Sequence, residues 1–256
     1  MRLQEKVIIV TGGTSGIGAA IARAIVREGG SVLIHGINES EGRALASELA
    51  GKSQLCIADL RDHNAPQIIV DSCIKHFGRI DGIVNNAAVI KNANLSQLTM
   101  DEYQEIMQVN LTAGLFLIQA AYEELKKSAG SVLNIGSINA YAGESSLLAY
   151  SISKGGMQVM TRNLANAHGV HGIRVNQINP GWVLTEREEK HKIASGMEPG
   201  WPNRLTRTEI PFGAMTTPQQ VAEAALYWLG DESKPFTGAV VELEQFSIIG
   251  RNPEKL

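Results

Sequence analysis

Short runs of aliphatic residues alternate along the chain with stretches whose apolar positions recur every three or four residues. Val7-Ile8-Ile9-Val10, running into Thr11-Gly12-Gly13, reads as a strand. From Ile17 to Arg27 the residues Ile17, Ala20, Ile21, Ala24 and Ile25 share a helical face, and Gly29-Gly30 ends that helix. The same alternation predicts strands at 32–34, 55–58, 83–84, 131–135, 174–178 and 239–243. Helices are predicted at 39–50, 65–77, 101–127, 149–168 and 217–229, the last with Pro218 in its first turn. The strands are apolar throughout, not at every second position. Strands covered on both faces look like this, so the expected fold class is α/β: a doubly wound, seven-stranded parallel sheet with helices on both faces.

One stretch breaks the rhythm. Residues 186–215 hold Pro199, Pro202 and Pro211 and many charges, with little periodicity. A long irregular stretch inside a compact domain reads as a substrate lid, with an ordinary surface loop as the alternative. The length of 256 residues suits one domain spanning 1–256. A hydrophobic fraction of 44% and a charged fraction of 19% suit a soluble globular chain, and a net charge of −3 gives no reason to expect nucleic acid. No window approaches the roughly 18 apolar residues of a membrane span. The first apolar run is shorter than the roughly 7–15 residues of a signal peptide. A cytoplasmic location is therefore expected, with Cys56 and Cys73 as ordinary thiols of a reducing compartment. His168 and His171 have no Cys or carboxylate partner nearby in sequence, so no metal is expected.

Between the first strand and the first helix lies Thr11-Gly12-Gly13-Thr14-Ser15-Gly16-Ile17-Gly18. Glycines there allow positive φ and let backbone N–H groups approach a phosphate, while the helix N-terminus adds its positive dipole end. A tight turn alone would use similar residues. Its place at the start of an alternating α/β chain makes the dinucleotide reading the stronger one. Tyr150 and Lys154 stand at i and i+4 on a predicted helix and share a face. A tyrosine with an ordinary pKa near 10 is a poor base at neutral pH. A neighbouring ammonium favours the phenolate and lowers that value.

These features appear together with others in a telling order. T-G-x-x-x-G-x-G at 11–18, N-N-A at 85–87, Asn110, Ser137, Y-x-x-x-K at 150–154 and P-G at 180–181 follow one another as in short-chain dehydrogenases/reductases. The resemblance covers about residues 5 to 245, and the spacing of Gly12, Gly16 and Gly18 is similar to the classical branch of that family. It implies a Rossmann-type fold and hydride transfer between a nicotinamide cofactor and a secondary alcohol or carbonyl. It also implies roles. Tyr150 is the general acid/base, Ser137 hydrogen-bonds the reacting oxygen, and Lys154 lowers the Tyr150 pKa and holds the nicotinamide ribose. Asn110 supports a water-linked proton path, with local backbone satisfaction as its plainer reading. Cofactor contacts are implied at Gly12, Thr14, Ser15, Gly16, Ile17 and Gly18, at Asp59 and Leu60, and at Asn86 and Ala87. Pro180, Gly181, Val183 and Thr185 are further contacts. Ala88 departs from the family's frequent N-N-A-G, which puts a close backbone approach there in doubt.

The end of the second predicted strand is atypical. A family member selecting NAD often has an acidic residue there, and one selecting NADP often has an arginine next to it. This chain has Gly36 and Ile37. His35, Asn38, Ser15 and, with less force, Arg61 are the candidate donors to a 2′-phosphate, so NADP(H) is slightly favoured over NAD(H).

The expected substrate pocket joins Ser137, Asn139, Glu144, Tyr150 and Trp182 to the 186–215 lid. Its mixed polarity suggests a sugar or polyol, with a 3-oxoacyl thioester reductase or a non-catalytic dinucleotide-sensing module as alternatives. Family members usually pair through long helices such as 101–127, so a homotetramer or homodimer is expected. The final strand runs into Glu244-Gln245-Phe246 where the family commonly has V-D-G-G, and the tail 247–256 is a candidate to reach a neighbouring subunit.

Overall fold

Seven strands, all parallel, form the sheet: β1 (Val7–Val10), β2 (Ser31–Gly36), β3 (Ser53–Ile57), β4 (Gly82–Asn85), β5 (Ser131–Ile135), β6 (Arg174–Pro180) and β7 (Val240–Leu243). Their order is β3-β2-β1-β4-β5-β6-β7. The structure is a computed structural model and describes residues 1–49 and 51–246, so the tail expected to reach a neighbouring subunit lies outside the described residues. Consecutive residues of each strand face opposite sides of the sheet, and both sides are covered. Ile8, Val10, Ile34, Val84 and Leu133 pack under α1 (Gly16–Arg27) and α10 (Pro218–Leu229). Ile9, Leu33, Ile83, Val132 and Val175 pack on the other side, under α3 (Ala65–Phe77) and α5 (Ala113–Ala120). The α/β fold expected from the apolar runs is the one observed. Strand order reverses between β1 and β4, which opens a crevice at their carboxyl ends.

Three expectations need correction. The predicted helix 101–127 is broken into α4 (Met100–Met107), a π-helical turn (Gln108–Thr112), α5 and α6 (Tyr122–Ser128). At the turn the Asn110 carboxamide bonds Val89 and Ser153 rather than its own helix, a typical setting for a π-bulge. Residues 186–215 are not wholly irregular, because Glu186–Ala194 forms α9. Thr185 caps it by accepting from the Glu188 N–H, and three glutamates sit in its first turn. Beyond α9, buried Trp201, Ile210 and Met215 make a small cluster with Trp182, Leu184 and Leu205. The second strand is longer than its apolar core 32–34, running from Ser31 to the expected stop at Gly36, which takes His35 into the sheet.

The central strands dominate stability. Ile9→Ala removes a fully buried side chain from β1 and is expected to lower the unfolding free energy by about 2–5 kcal/mol. Ile37→Ala, at a residue 68% exposed, is expected to change it by no more than about 0.5 kcal/mol. Urea midpoints with unchanged m-values are the measurement.

Candidate active site

The turn from β1 into α1 is stitched to the end of β4. Asn86 Nδ2 donates to the carbonyls of Thr11 (2.9 Å) and Gly12 (3.1 Å). The N–H groups of Asn86 and Ala87 donate to Thr11 Oγ1 at 3.0 and 3.1 Å. Gly12 and Gly16 have φ of +60° and +53°, the left-handed region that glycine adopts without strain. A Cβ on Gly18 would overlap the Gly12 carbonyl oxygen, so α1 starts directly behind the turn. Ser15 precedes α1 with no side-chain cap bond and no acidic residue follows in the first turn, so the helix's leading N–H groups are left for an anion.

A cleft of about 660 Å³ opens over this turn. Gly12, Thr14, Ser15, Gly16, Ile17, Gly36, Ile37, Asp59, Leu60, Asn86, Ala87 and Thr185 all line it, as does Ala88. A glycine turn without side chains, an uncapped helix start and an open groove at the strand-order switch fit a dinucleotide. Thr185 closes the phosphate end, its methyl lying against Gly16.

The donors proposed for a 2′-phosphate are placed differently from expectation. His35 is 1% exposed, and its Nε2 lies 2.9 Å from the Ala58 carbonyl. Burial pulls its pKa down, so the ring is neutral and Nε2–H donates to that carbonyl, while the residue still lines the cleft. Asn38 Oδ1 is taken by the Glu41 N–H as the cap of α2 (Glu39–Glu48). Arg61 is bound to Asp59, with Nε to Oδ2 at 2.9 Å, and lies 3.6 Å from Glu105. That guanidinium holds the Asp59 carboxyl below the usual range. At Gly36 a Cβ would stand 2.5 Å from the Thr14 methyl, so Thr14 occupies the room a carboxylate-bearing residue would need. The sequence reading assigned Arg187 to the substrate lid and missed Lys190; α9 brings both to the same cleft beside Glu186 and Glu41. Their only sequence signal was the cap pattern Thr185-x-x-Glu188.

Deeper along the strand ends, Ser137 follows β5, and Tyr150 and Lys154 stand on α8 (Leu148–His168). Lys154 is 2% exposed, and its Nζ donates to the Ile135 carbonyl at 2.7 Å. Burial pulls its pKa down to about 8. Nζ lies 5.6 Å from the centre of the Tyr150 ring. Burial pushes the Tyr150 hydroxyl up, and a hydrogen bond from Ser137 pulls the other way. The Asn139 N–H donates to Ser137 Oγ at 3.2 Å. Asn110 is fully engaged. Its Oδ1 accepts from Val89 N (2.7 Å), and Nδ2 donates to Val89 O (3.0 Å) and Ser153 Oγ (3.2 Å). Ser153 donates in turn to the Tyr150 carbonyl at 2.7 Å, so Asn110 ties the β4 loop to α8.

On the substrate side the Asn139 carboxamide reaches Glu144 at 3.5 Å. The Ile138 N–H donates to Pro180 O at 3.2 Å, which joins the serine loop to the Pro180-Gly181 turn. Trp182 is held at several points. Its indole N–H donates to Glu188 (2.8 Å), its backbone N–H donates to Glu244 (3.3 Å), and its ring stacks on Trp201 at 5.2 Å. The Glu244 carboxylate lies against Gly181, where any Cβ would overlap it. Val183 bridges to Thr216 in parallel register. Among the described residues no cluster of three or more His, Cys, Asp or Glu is arranged to hold a metal.

This arrangement can carry a dinucleotide from the glycine turn inward and exchange a proton at the Tyr150 hydroxyl. Residues 12–244 match the family described as Enoyl-(Acyl carrier protein) reductase. The L-fucose dehydrogenase of Mus musculus is 37% identical over 93% of this chain and 86% of its own length. The 3-alpha-(or 20-beta)-hydroxysteroid dehydrogenase of Mycobacterium tuberculosis is 33% identical over 97% of this chain and 92% of its own. The NADP-dependent (R)-specific alcohol dehydrogenase of Lentilactobacillus kefiri is 31% identical over 93% and 94%. Similarity of this extent leaves one assignment: the chain belongs to the short-chain dehydrogenase/reductase family, NAD(P)-dependent oxidoreductases acting on CH–OH groups.

Proposed function

We propose that this enzyme interconverts a secondary alcohol and its carbonyl on a small hydroxylated molecule, a sugar or polyol, with NADP(H) slightly preferred over NAD(H). The carrying observation is the grouping of half-buried Ser137 with buried Tyr150 and Lys154, in which Ser137 pulls the Tyr150 pKa downward against burial. When bound, the nicotinamide supplies the acceptor or donor for the hydrogen that the substrate carbon loses or gains. Tyr150 takes the alcohol's proton or returns it to the carbonyl oxygen. Ser137 donates to the same oxygen and stabilises its developing negative charge. A Tyr150 base near neutral pH needs its pKa lowered by roughly three units, about 4 kcal/mol. Burial works against this, so the lowering falls to the Ser137 bond and to positive charge brought next to the phenol. Asn110 acts by holding α8 at the β4 loop.

The NADP(H) preference no longer leans on His35 or Arg61. It is supported by the missing carboxylate at Gly36, the free Ser15 hydroxyl, and Arg187 on the cleft rim, with Lys190 beside it shared with Glu186. A sugar or polyol suits the polar Asn139, Glu144 and Glu188 around Trp182 and accords with the L-fucose dehydrogenase relative. The matching family's own description keeps a 3-oxoacyl thioester reductase as the second reading. We place the enzyme in the cytoplasm, which suits the two free thiols, as a homotetramer or homodimer. Exposed Leu115 and Phe116 on α5 and Ile152 and Val159 on α8 are suited to such pairing.

Purified enzyme is expected to oxidise L-fucose faster than a 3α-hydroxysteroid, and to reduce acetoacetyl-CoA poorly, with turnover followed at the nicotinamide absorbance. Fluorescence titration is expected to give somewhat tighter binding of NADPH than NADH; tighter NADH would reverse the cofactor assignment. Tyr150→Phe is expected to lower kcat by about 10²–10⁴-fold while NADPH affinity stays within about 2-fold. Full activity in that variant would sink the mechanism.

Lys154 makes stability depend on pH. Its pKa is about 8 in the fold against an ordinary 10.5, so between those values the unfolded chain binds more protons and stability rises with pH. Below pH 8 the buried charge costs the fold about 3 kcal/mol. Lys154→Met is expected to be inactive yet more stable than the wild type at pH 7. Its advantage should shrink as pH rises from 8 to 10.5, read from urea unfolding across that range. An advantage independent of pH would mean that Lys154 keeps its ordinary pKa, and with it its charge, in the fold.

A further inference from the structure

A chain of buried amide and hydroxyl side chains runs beneath the reacting groups and ends on Ser137. Asn85 Nδ2 donates to Asn134 Oδ1 (2.9 Å), and Asn134 Nδ2 donates to Thr161 Oγ1 (2.8 Å). Thr161 Oγ1 reaches Gln177 Oε1 (2.9 Å), and Gln177 Nε2 donates to Asn179 Oδ1 (2.7 Å). The same Asn179 oxygen accepts the Ser137 backbone N–H at 3.1 Å. The chain crosses β4, β5, α8 and β6, and all five side chains are buried.

We propose that Gln177 and Asn179 are positioning residues for the reaction, holding Ser137 by its backbone N–H so that its hydroxyl meets the oxygen of the substrate. The inference rests on the reading of Ser137 as the residue that bonds that oxygen.

Three observations carry it. First, Gly136 N donates to Ile178 O (2.8 Å) and Ile138 N to Pro180 O (3.2 Å), so the serine loop is pinned by backbone on either side of Ser137. The Ser137 N–H itself is held by a side chain, Asn179, and by no backbone acceptor. Second, the residue before Ser137 is glycine, and a Cβ there would overlap both Asn179 Oδ1 and Gln177 Nε2. The two amides meet in the space that Gly136 leaves. Third, Asn179 Nδ2 and Asn85 Oδ1 are buried without partners. A fold selected for stability alone has little use for two unpaired polar atoms buried within the sheet. The Asn179 oxygen, by contrast, is doubly occupied and therefore fixed. With its N–H held from β6 and its Oγ accepting from Asn139 N, Ser137 is left with its hydroxyl proton to donate toward Tyr150 and substrate.

The test is a double-mutant cycle on the full-length enzyme with L-fucose and NADP⁺. Asn179→Ala is expected to lower kcat about 10–100-fold, the effect of misplacing a reacting group by about an ångström, with KM for L-fucose and NADPH affinity within about 2-fold. In a Ser137→Ala background the same change should cost less than about 2-fold, because the group being positioned is gone. Gln177→Met, which leaves the Ser137–Asn179 bond in place but frees the amide, should show the same pattern with a smaller loss and covers the case in which Asn179→Ala fails to fold. Equal losses in both backgrounds would overturn the proposal and assign these residues to stability. Full activity in Ser137→Ala alone would instead overturn the reading of the site. Should L-fucose give no turnover, amide hydrogen exchange decides. Faster exchange at Ser137 in Asn179→Ala, with residues 132–135 unchanged, supports the proposal, and unchanged exchange at Ser137 overturns it.

Discussion

The bond from the Lys154 ammonium to the Ile135 carbonyl is the constraint around which the reacting end is built. An ammonium with 2% exposure is among the most expensive groups a fold can hold, and one carbonyl at 2.7 Å offsets only part of that cost. The bond fixes α8 against the end of β5. Ser137 lies two residues beyond Ile135, and Tyr150 lies one helical turn before Lys154. Positioning one ammonium therefore sets the serine and the tyrosine together. Asn110 adds the second anchor, since its carboxamide links Val89 to Ser153 and so to the backbone of Tyr150. The π-helical turn follows from that need: an unbroken α-helix bonds its own backbone and gives no reason for a buried carboxamide to face a loop and another helix.

The cofactor end obeys a different constraint, which is space. Its turn has no side chains at Gly12 and Gly16; Asn86 fixes the Thr11 and Gly12 carbonyls, and Thr11 Oγ1 accepts the Asn86 and Ala87 N–H groups. Thr14 lies against Gly36, which couples the glycine turn to the end of β2. A larger residue at 36 requires a different rotamer or residue at 14. The charges on the rim are shared out in pairs: Arg61 with Asp59, and Lys190 with Glu186. A phosphate arriving there competes with carboxylates for cations that are already partnered.

Most of the fold was legible because buried parallel strands are apolar on both faces, and Val7–Val10 and Ser131–Ile135 fall where such runs stand. The glycine turn and the Tyr150–Lys154 spacing were legible because each depends on local geometry. What escaped depended on distant partners. His35 looked like a turn residue because histidine is rare inside a strand; its place is secured by Ala58 on the neighbouring segment, which sequence distance hides. Helix α9 had no apolar stripe, as none of its residues is buried, so periodicity gave nothing to find. The role of Asn110 as a brace depended on Val89 and Ser153, 21 and 43 residues away. Gln177 and Asn179 read as polar interruptions of a strand until their carboxamides meet behind Gly136.

Helix α9 joins the two ends of the site. Its Glu188 accepts from the Trp182 indole, its Lys192 lies over the same ring at 5.3 Å, and its Lys190 lines the cofactor cleft. Trp182 itself follows the Pro180-Gly181 turn that is bonded to the serine loop, and Trp201 stacks on it from the cluster of Ile210 and Met215. A short polar helix with no buried residue of its own has little intrinsic stability. It is held by its cap at Thr185 and by these contacts to Trp182. The ring that α9 contacts follows the Pro180-Gly181 turn, which is bonded to the serine loop. Movement of α9 on substrate binding would reach the cofactor cleft through Lys190 and Arg187 without passing through the sheet. The rigid strands hold the reacting groups, and the weakly held helix is the element through which the two binding events can influence one another.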